Sequence, residues 1–208
     1  MNGWIVVEEG TGEGGFVEGP EGAPLGTGSF RMATGPGEGD QGGKVWLMTG
    51  NFEQTELSAI TGMRYATFVP SEGSTPLAPY LNLQLDLDRD GRRDTTIVFD
   101  PAEGDAGEIE PGVWQTWDAA AGRWYFTAAT EAFCARTCYA TLPEILSAHP
   151  TATIVAWYPN RRGISIVAGQ ASGGAWNDFI GYVDAFSIAI EGEETRYDFE
   201  ASGGGCAP

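Results

Sequence analysis

Residues 80–88 read YLNLQLDLD and show the clearest secondary-structure pattern in the chain. From residue 81 onward, leucine occupies every second position, and each leucine is followed by a polar residue. Because successive side chains of a β-strand point to opposite faces, the pattern predicts an amphipathic strand with one face in the core and one in water. The core face contains Leu81, Leu83, Leu85 and Leu87, and the water face contains Asn82, Gln84, Asp86 and Asp88.

A second strand, TTIVFDP at residues 95–101, follows closely, so the residues between the two form a hairpin turn. The run PGVWQTWDAAAGRWYFTA, residues 111–128, predicts a further hairpin or meander with its turn at residues 120–122. Within it, Trp114 and Trp117 are three residues apart and therefore point to opposite faces of a strand. The other strand candidates are WIVV, GFV, GSFRMAT, KVWLMTG, AITGMRYATFV, TATIVAWY, GISIVAGQ, FIGYVDAFSIAI and TRYDFE.

One helix is predicted after residue 141. Thr141 and Glu144 match a capping box, Pro143 suits the first helical turn, and Pro150 ends the helix. Many short strands with a single helix indicate an all-β fold. We predict a two-sheet antiparallel β-sandwich of the jelly-roll or concanavalin-like type, formed as one domain by residues 1–200. Residues 201–208 are expected to form a flexible glycine-rich tail.

The charge of the chain restricts its partners. It has 29 acidic and 11 basic residues, and a formal net charge of −18. Nucleic acids and anionic membranes need a cationic surface, so neither is an expected partner. A cation or a neutral polymer such as a polysaccharide is easier to bind. The same acidity also serves solubility, which is the competing interpretation.

The cysteines indicate an oxidising compartment. Cys134 and Cys138 are too isolated for a zinc site, so we predict a short disulfide loop, typical of extracellular proteins. Cys206, in the tail, is left over and is expected to be free or linked to another chain. No apolar run reaches the roughly 20 residues that cross a bilayer. MNGWIVVEEG lacks the features of a signal peptide, so a secreted form would begin after its signal.

The hairpin turn LDLDRDGRRD, residues 85–94, has the register of a calcium loop. Calcium prefers six to eight oxygen ligands, which alternating aspartates and a backbone carbonyl supply, while glycine allows the sharp turn. Position twelve of an EF-hand would be Ile97 and no helices flank the loop, so an EF-hand is excluded. The predicted ligands are Asp86, Asp88, Asp90, the carbonyl of Arg92, and Asp94.

The alternative is a solvated hairpin in which aspartates and glycine serve turn chemistry and Arg89, Arg92 and Arg93 offset the carboxylates. Turn chemistry needs only one or two aspartates, and four crowded carboxylates repel one another. The extra aspartates therefore favour calcium. The pattern Asp-x-Asp-x-Asp-Gly-x-x-Asp before an apolar strand resembles the calcium loops of integrin-type propeller repeats, over residues 86–94 alone.

Four further stretches carry a resemblance that covers most of the chain. These are GPEGAPLGTGSF, PGVWQTWDA, the Cys-x-x-x-Cys pair followed by LPEIL, and GYVDAFSIAI with TRYDFE. Together they resemble a group of mostly uncharacterised secreted bacterial proteins. The resemblance implies an extracellular β-sandwich similar to concanavalin-like or carbohydrate-binding jelly rolls, sometimes as a module of larger surface proteins. It implies no reaction.

Aromatic residues near turns are candidates for stacking on sugar rings, with polar neighbours bonding the hydroxyls. Most tryptophans are nevertheless expected in the core, because each buries a large area. The predicted ligand-binding residues lie in AWYPNRRG and GGAWNDF, and are Trp157, Tyr158, Arg161, Trp176, Asn177 and Asp178, with Asn160 and Arg162 beside them.

Catalytic patterns are poor. EGDAGE, residues 103–108, has the letter pattern of a glycosidase strand, but its glycines indicate a loop. The single histidine, His149, fits a helix end better than a ligand or a hydrolase triad. We therefore predict a secreted, non-catalytic carbohydrate-binding or cell-surface module stabilised by calcium, with a polysaccharide or cell-surface glycan as partner. The alternatives are a polysaccharide-degrading hydrolase or lyase, and a self-assembling filament subunit.

Overall fold

The leucines of the 80–88 segment lie between two sheets, where Leu81, Leu83 and Leu85 are fully buried. The computed structural model describes residues 3–37, 42–71, 77–103, 106–156, 162–170 and 174–201. In these ranges the chain forms two antiparallel β-sheets that pack face to face, with one short α-helix. The predicted two-sheet sandwich with one short helix is therefore confirmed.

The first sheet has eight strands. Its order is β1 (Trp4–Glu9), β4 (Lys44–Thr49), β12 (Ile164–Gly169), β6 (Tyr80–Asp86), β7 (Thr95–Phe99), β9 (Arg123–Phe126) and β10 (Tyr139–Thr141), with β11 (Thr153–Ile154) also paired to β6. The second sheet has six strands. Its order is β2 (Glu13–Glu18), β3 (Gly28–Ala33), β13 (Ile180–Ile190), β5 (Ile60–Phe68) and β8 (Trp114–Asp118), with β14 (Glu193–Tyr197) also paired to β13.

The helix α1, Leu142–Ala148, begins as the sequence predicts. The Thr141 side chain accepts a hydrogen bond from the Glu144 backbone, and the Glu144 carboxylate accepts one from the Thr141 backbone at 2.8 Å. His149 is the C-cap residue, which confirms its place at the helix end. Short 3-10 turns occupy Leu57–Ala59 and Gly174–Trp176. Within the described ranges, no helix combines the length and apolarity of a membrane span.

Three of the large aromatic residues in the core have their polar atoms paired in hydrogen bonds. The indole of Trp117 donates to the Thr67 hydroxyl at 2.8 Å, and the indole of Trp124 donates to the Ala119 carbonyl at 3.0 Å. The Tyr65 hydroxyl donates to the Pro79 carbonyl at 2.9 Å. Burying these large rings is inexpensive because each buried N–H or O–H has a partner.

The predicted water face of β6 is wrong, because Asn82, Gln84 and Asp86 are only 8%, 4% and 3% exposed. The Thr96 hydroxyl donates to the Gln84 side chain at 2.6 Å, so Gln84 has a polar partner on the neighbouring strand. The chain also returns over this face, since the backbone nitrogen of Arg162 lies 3.5 Å from the Met48 sulfur. Alternation correctly placed the leucines but did not show that the opposite face is covered.

The predicted hairpin over residues 111–128 is also wrong. Its two halves form strands β8 and β9, but β8 pairs with β5 in the six-stranded sheet and β9 pairs with β7 in the eight-stranded sheet. The turn at residues 119–122 therefore carries the chain from one sheet to the other. Of the predicted strand at 151–158, Thr153–Ile154 form β11, and residues 157 and 158 lie outside the described ranges.

Candidate functional site

The aspartate loop connects β6 to β7 and is organised around Asp86, the last residue of β6. One oxygen of Asp86 accepts a hydrogen bond from the Arg89 backbone at 2.7 Å, and the other accepts one from the Gly91 backbone at 2.7 Å. Arg89 and Gly91 have φ angles of 65° and 83°, so the backbone turns twice through the left-handed region. The loop thereby curls around a buried carboxylate.

Three of the four predicted carboxylate ligands come together. Asp86, Asp88 and Asp94 each place an oxygen within 4.8 Å of the others, close enough to share one metal ion. Asp94 is held by the Leu87 backbone, which donates to its Oδ2 at 2.7 Å. Asp90 is not part of this group, and its Oδ1 accepts a hydrogen bond from the Arg92 backbone at 2.8 Å.

Arg89 does not offset the charge of this cluster. Its guanidinium pairs with Glu56 at 2.5 Å and donates to the Thr151 carbonyl at 3.0 Å. The hydrogen bond and charge of Arg89 lower the pKa of Glu56. Arg89 therefore ties the loop to neighbouring segments. Of the three arginines that could offset the aspartates, Arg89 is thus paired elsewhere.

The predicted disulfide joins Cys134 and Cys138, whose Cα atoms are 5.3 Å apart. It closes a small loop next to Phe133, which stacks on Phe126 with ring centroids 4.6 Å apart. The loop is thus attached to the core by an aromatic stack as well as by its backbone. Cys206 lies outside the described residues.

The residues predicted to contact sugar lie in different places: some are outside the described ranges, one is in the core and two are on the surface. Trp157, Tyr158 and Arg161, with Asn160, lie outside the described ranges. Trp176 is 7% exposed and packs edge-on against Tyr80 and Phe179, which leaves little of its ring for a ligand. Asn177 and Asp178 are exposed, and Asp178 lines a surface cavity of about 530 Å³.

The outer face of the six-stranded sheet carries an aromatic row that the sequence interpretation missed in part. Strand register places Tyr182 opposite Phe68, and Phe68 opposite Trp114, so the three rings lie side by side on three neighbouring strands. The centroid of Phe68 is 5.6 Å from Trp114 and 6.0 Å from Tyr182. All three rings are half-buried. We call these three residues the aromatic row.

Two exposed apolar residues are close in sequence to members of the aromatic row. Ile180 and Val113 are 38% and 44% exposed, and they are two of the four large hydrophobic residues that are exposed among the described residues. Ile180 lies two residues before Tyr182 on the same strand face, and Val113 immediately precedes Trp114. Ile180 therefore extends the exposed apolar surface of this face beyond Tyr182.

Charged groups frame the same face. On one side, Arg31 lies opposite Tyr182 in the register of β3 and β13. Four residues away along β5 and β8, Arg64 donates two hydrogen bonds to Asp118 Oδ2 at 3.0 and 2.7 Å. The face thus combines aromatic rings with the guanidinium of Arg31 and the paired charges of Arg64 and Asp118.

The opposite sheet has a second group of titratable residues, at the end of β7. Burial raises the pKa of Asp100 to about 6, despite a hydrogen bond from the Ala102 backbone at 2.9 Å. The Tyr139 hydroxyl donates to Glu103 at 2.6 Å. Of the EGDAGE stretch, residues 104 and 105 lie outside the described ranges, and residues 103 and 106–108 belong to no strand, in agreement with the predicted loop.

Comparisons with known proteins give one structural similarity. No known protein family matches the sequence, and no curated protein matches it. A solved structure from a study of promiscuous carbohydrate-binding modules of the beta-sandwich superfamily is similar over 90% of this chain, with a TM-score of 0.44 and 16% identity. The similar region spans 57% of that structure's length. The function proposed below rests on the geometry of the described residues.

Proposed function

We propose that the protein is a non-catalytic carbohydrate-binding module that binds a polysaccharide across the outer face of its six-stranded sheet. The observation that carries the proposal is the aromatic row of Tyr182, Phe68 and Trp114. Sugar rings have apolar faces that stack on aromatic rings, and an extended glycan presents several such faces in succession. The six-stranded sheet places one ring on each of three adjacent strands, with the Phe68 ring inclined by 48° to Trp114 and by 71° to Tyr182.

The burial of the row supports this role. The three residues are half-buried and Phe68 contacts both of the other rings, so their orientations are restricted before a ligand arrives. Binding then costs little side-chain entropy, which increases the net affinity. Adjacent strands are about 4.8 Å apart, so the row offers roughly 10 Å of apolar surface, enough for more than one sugar unit.

The test is polysaccharide binding by Trp114→Ala, measured by affinity electrophoresis and calorimetry with neutral glucans and xylans. We expect at least about tenfold weaker binding, equivalent to about 1.4 kcal/mol. The control is Ile5→Ala, which removes an exposed apolar side chain from an edge strand of the opposite sheet. Equal loss in both variants, or none in Trp114→Ala, would contradict the proposal.

We also propose that the loop between β6 and β7 holds calcium, with Asp86, Asp88 and Asp94 as carboxylate ligands. Support comes from the oxygens gathered within 4.8 Å and from the buried position of Asp86. Three negative charges so close together repel unless a cation offsets them. Further oxygen ligands would come from the Arg92 carbonyl and water. The metal would lock the hairpin, on the opposite sheet from the aromatic row.

The extracellular setting belongs to the same proposal. The Cys134–Cys138 disulfide supports it, because disulfides persist in oxidising compartments. One observation favours the alternative of a polysaccharide-degrading enzyme, namely Asp100 with its raised pKa near Glu103 and Tyr139, which is the kind of environment that prepares a general acid. Release of reducing sugar from the bound glycan, lost in Asp100→Asn, would favour that enzyme over the binding module.

A further inference from the structure

A cavity of about 530 Å³ lies beside the aromatic row, at the opposite end from Trp114. Arg31, Glu13 and Asp178 supply its charged groups, and Ile180 and Phe179 supply apolar wall. Arg31 faces Tyr182 across the β3–β13 pair, so the cavity and the row share a boundary. We call this space the end cavity.

The end cavity is built from segments that are hydrogen-bonded to one another. The Thr11 hydroxyl donates to the Thr34 carbonyl at 2.6 Å and is 3.0 Å from the Pro36 carbonyl. The Asp178 backbone donates to the Gly35 carbonyl at 2.7 Å. Three loops that are far apart in sequence are thus tied together around the space. A cavity held in this way is preorganised for a ligand.

The end cavity and the aromatic row form one continuous surface. From Arg31 to Trp114 the surface crosses four strands, β3, β13, β5 and β8, in sheet order. With about 4.8 Å between strands, that distance is roughly 14 Å. Ile180 lies both in the cavity wall and on the strand face of Tyr182. A single extended molecule could therefore contact both parts.

The charges of the end cavity select the kind of ligand. With the described residues, the side chain of Arg31 makes no hydrogen bond or ion pair, so its guanidinium donors are available. Glu13 and Asp178 add two carboxylates to the same wall, which gives the cavity both donors and acceptors but no net positive charge. Sugar hydroxyls use both kinds of partner, whereas a carboxylated sugar would be repelled by the cavity and by the chain's charge of −18.

We propose that the end cavity is a hydroxyl-binding subsite that continues the aromatic row, and that the ligand is an uncharged oligosaccharide long enough to occupy both. This inference rests on the proposed function, because it extends the same binding face. It adds the ligand class and assigns Arg31 and Asp178 as residues that contact the end of the glycan. A short oligosaccharide fills only the aromatic row and does not reach the cavity.

The experiment is a calorimetric titration of the full chain with neutral cello- and xylo-oligosaccharides of increasing length, and with oligogalacturonates as charged comparisons. Asp178→Asn removes charge at nearly constant shape, and asparagine tolerates the φ of 56° at position 178, while Arg31→Gln removes the guanidinium and leaves a shorter polar side chain. Glu18→Gln, an exposed carboxylate at the end of β2, is the matched control. Thermal unfolding of each variant shows that the fold is retained.

We expect wild-type affinity to rise with length, and Asp178→Asn and Arg31→Gln to weaken only the longer oligomers, by about fivefold to tenfold. Trp114→Ala should weaken short and long oligomers alike. If Trp114→Ala loses binding while both cavity variants bind long oligomers normally, the end-cavity inference fails and the proposed function stands. Preference for oligogalacturonate would overturn the uncharged ligand class. No binding by the wild type to any oligomer would overturn the proposed function and the inference with it.

Discussion

Asp100 shows how a single position can work against stability. It follows β7 directly, and burial raises the pKa of its carboxyl from 3.8 to about 6. Between those pH values the unfolded chain gives up the proton while the folded chain retains it. The contribution of Asp100 to the free energy of unfolding therefore falls as pH rises from about 4 to about 6. Above about pH 6 the whole destabilisation is present.

Asp100→Asn should remove this cost. Asparagine keeps an acceptor for the Ala102 backbone but carries no charge. We expect the variant to be more stable than wild type at pH 7, by at most about 3 kcal/mol, and equal to it below about pH 4. Urea denaturation across this range measures the difference. Glu18→Gln is the control. If the difference in free energy of unfolding between Asp100→Asn and wild type does not change with pH, the expectation is contradicted.

The loop between β6 and β7 brings three carboxylates together, and a bound cation would offset their charge. Arg89 fastens it to Glu56 and Thr151, while the Asp86, Asp88 and Asp94 carboxylates face one another. An ion that binds only the folded loop stabilises the whole fold by mass action. The hairpin would then be held both by the contacts of Arg89 and by the ion between the aspartate carboxylates.

Calcium should raise the melting temperature by roughly 5–10 °C at saturating concentration, and chelator should reverse the rise. Asp94→Asn keeps an acceptor for the Leu87 backbone and should abolish the response. Asp90→Asn likewise keeps an acceptor for the Arg92 backbone and should respond as wild type does. Differential scanning calorimetry makes the comparison, and an unchanged wild-type melting temperature would exclude the calcium site.

The two sheets are joined near the N-terminus by Trp4. This residue lies in β1 of the eight-stranded sheet and is 7% exposed. Its ring meets Phe186, Tyr197 and Phe199 edge-on, with centroids 5.3, 5.3 and 5.1 Å away. The first strand of the chain thus packs against the last segments, and the aromatic cluster closes one end of the sandwich.

Trp4→Ala should destabilise the whole molecule by about 3–5 kcal/mol, because it removes a large buried ring between the sheets. Ile5→Ala is the control, since Ile5 is the next residue, points to the opposite face and is 38% exposed. We expect that control to cost less than about 1 kcal/mol. Chemical denaturation gives both values, and similar costs for the two variants would show that Trp4 does not join the sheets.

Local patterns predicted the parts of the fold whose causes are local. Alternating leucines identified β6, and Thr141 with Glu144 identified the start of α1. The disulfide followed from the short spacing of Cys134 and Cys138. These signals succeed because strand alternation, helix capping and a five-residue loop each depend on residues close together in sequence.

The same reasoning could not find the candidate binding face. Phe68, Trp114 and Tyr182 come from distant strands, and only the order β13, β5, β8 makes them neighbours. Nor could alternation show that Asn82 and Gln84 are covered, since a polar residue has the same pattern whether it faces water or another polar group.

The sequence by itself therefore determined that the chain forms amphipathic strands, one capped helix, a small disulfide loop and an aspartate-rich turn. The tertiary structure alone decided which strands are adjacent, which polar face is buried and which aromatic rings share a surface. The physical reason is that side-chain alternation repeats over two residues, whereas strand order depends on how all the apolar faces are buried together.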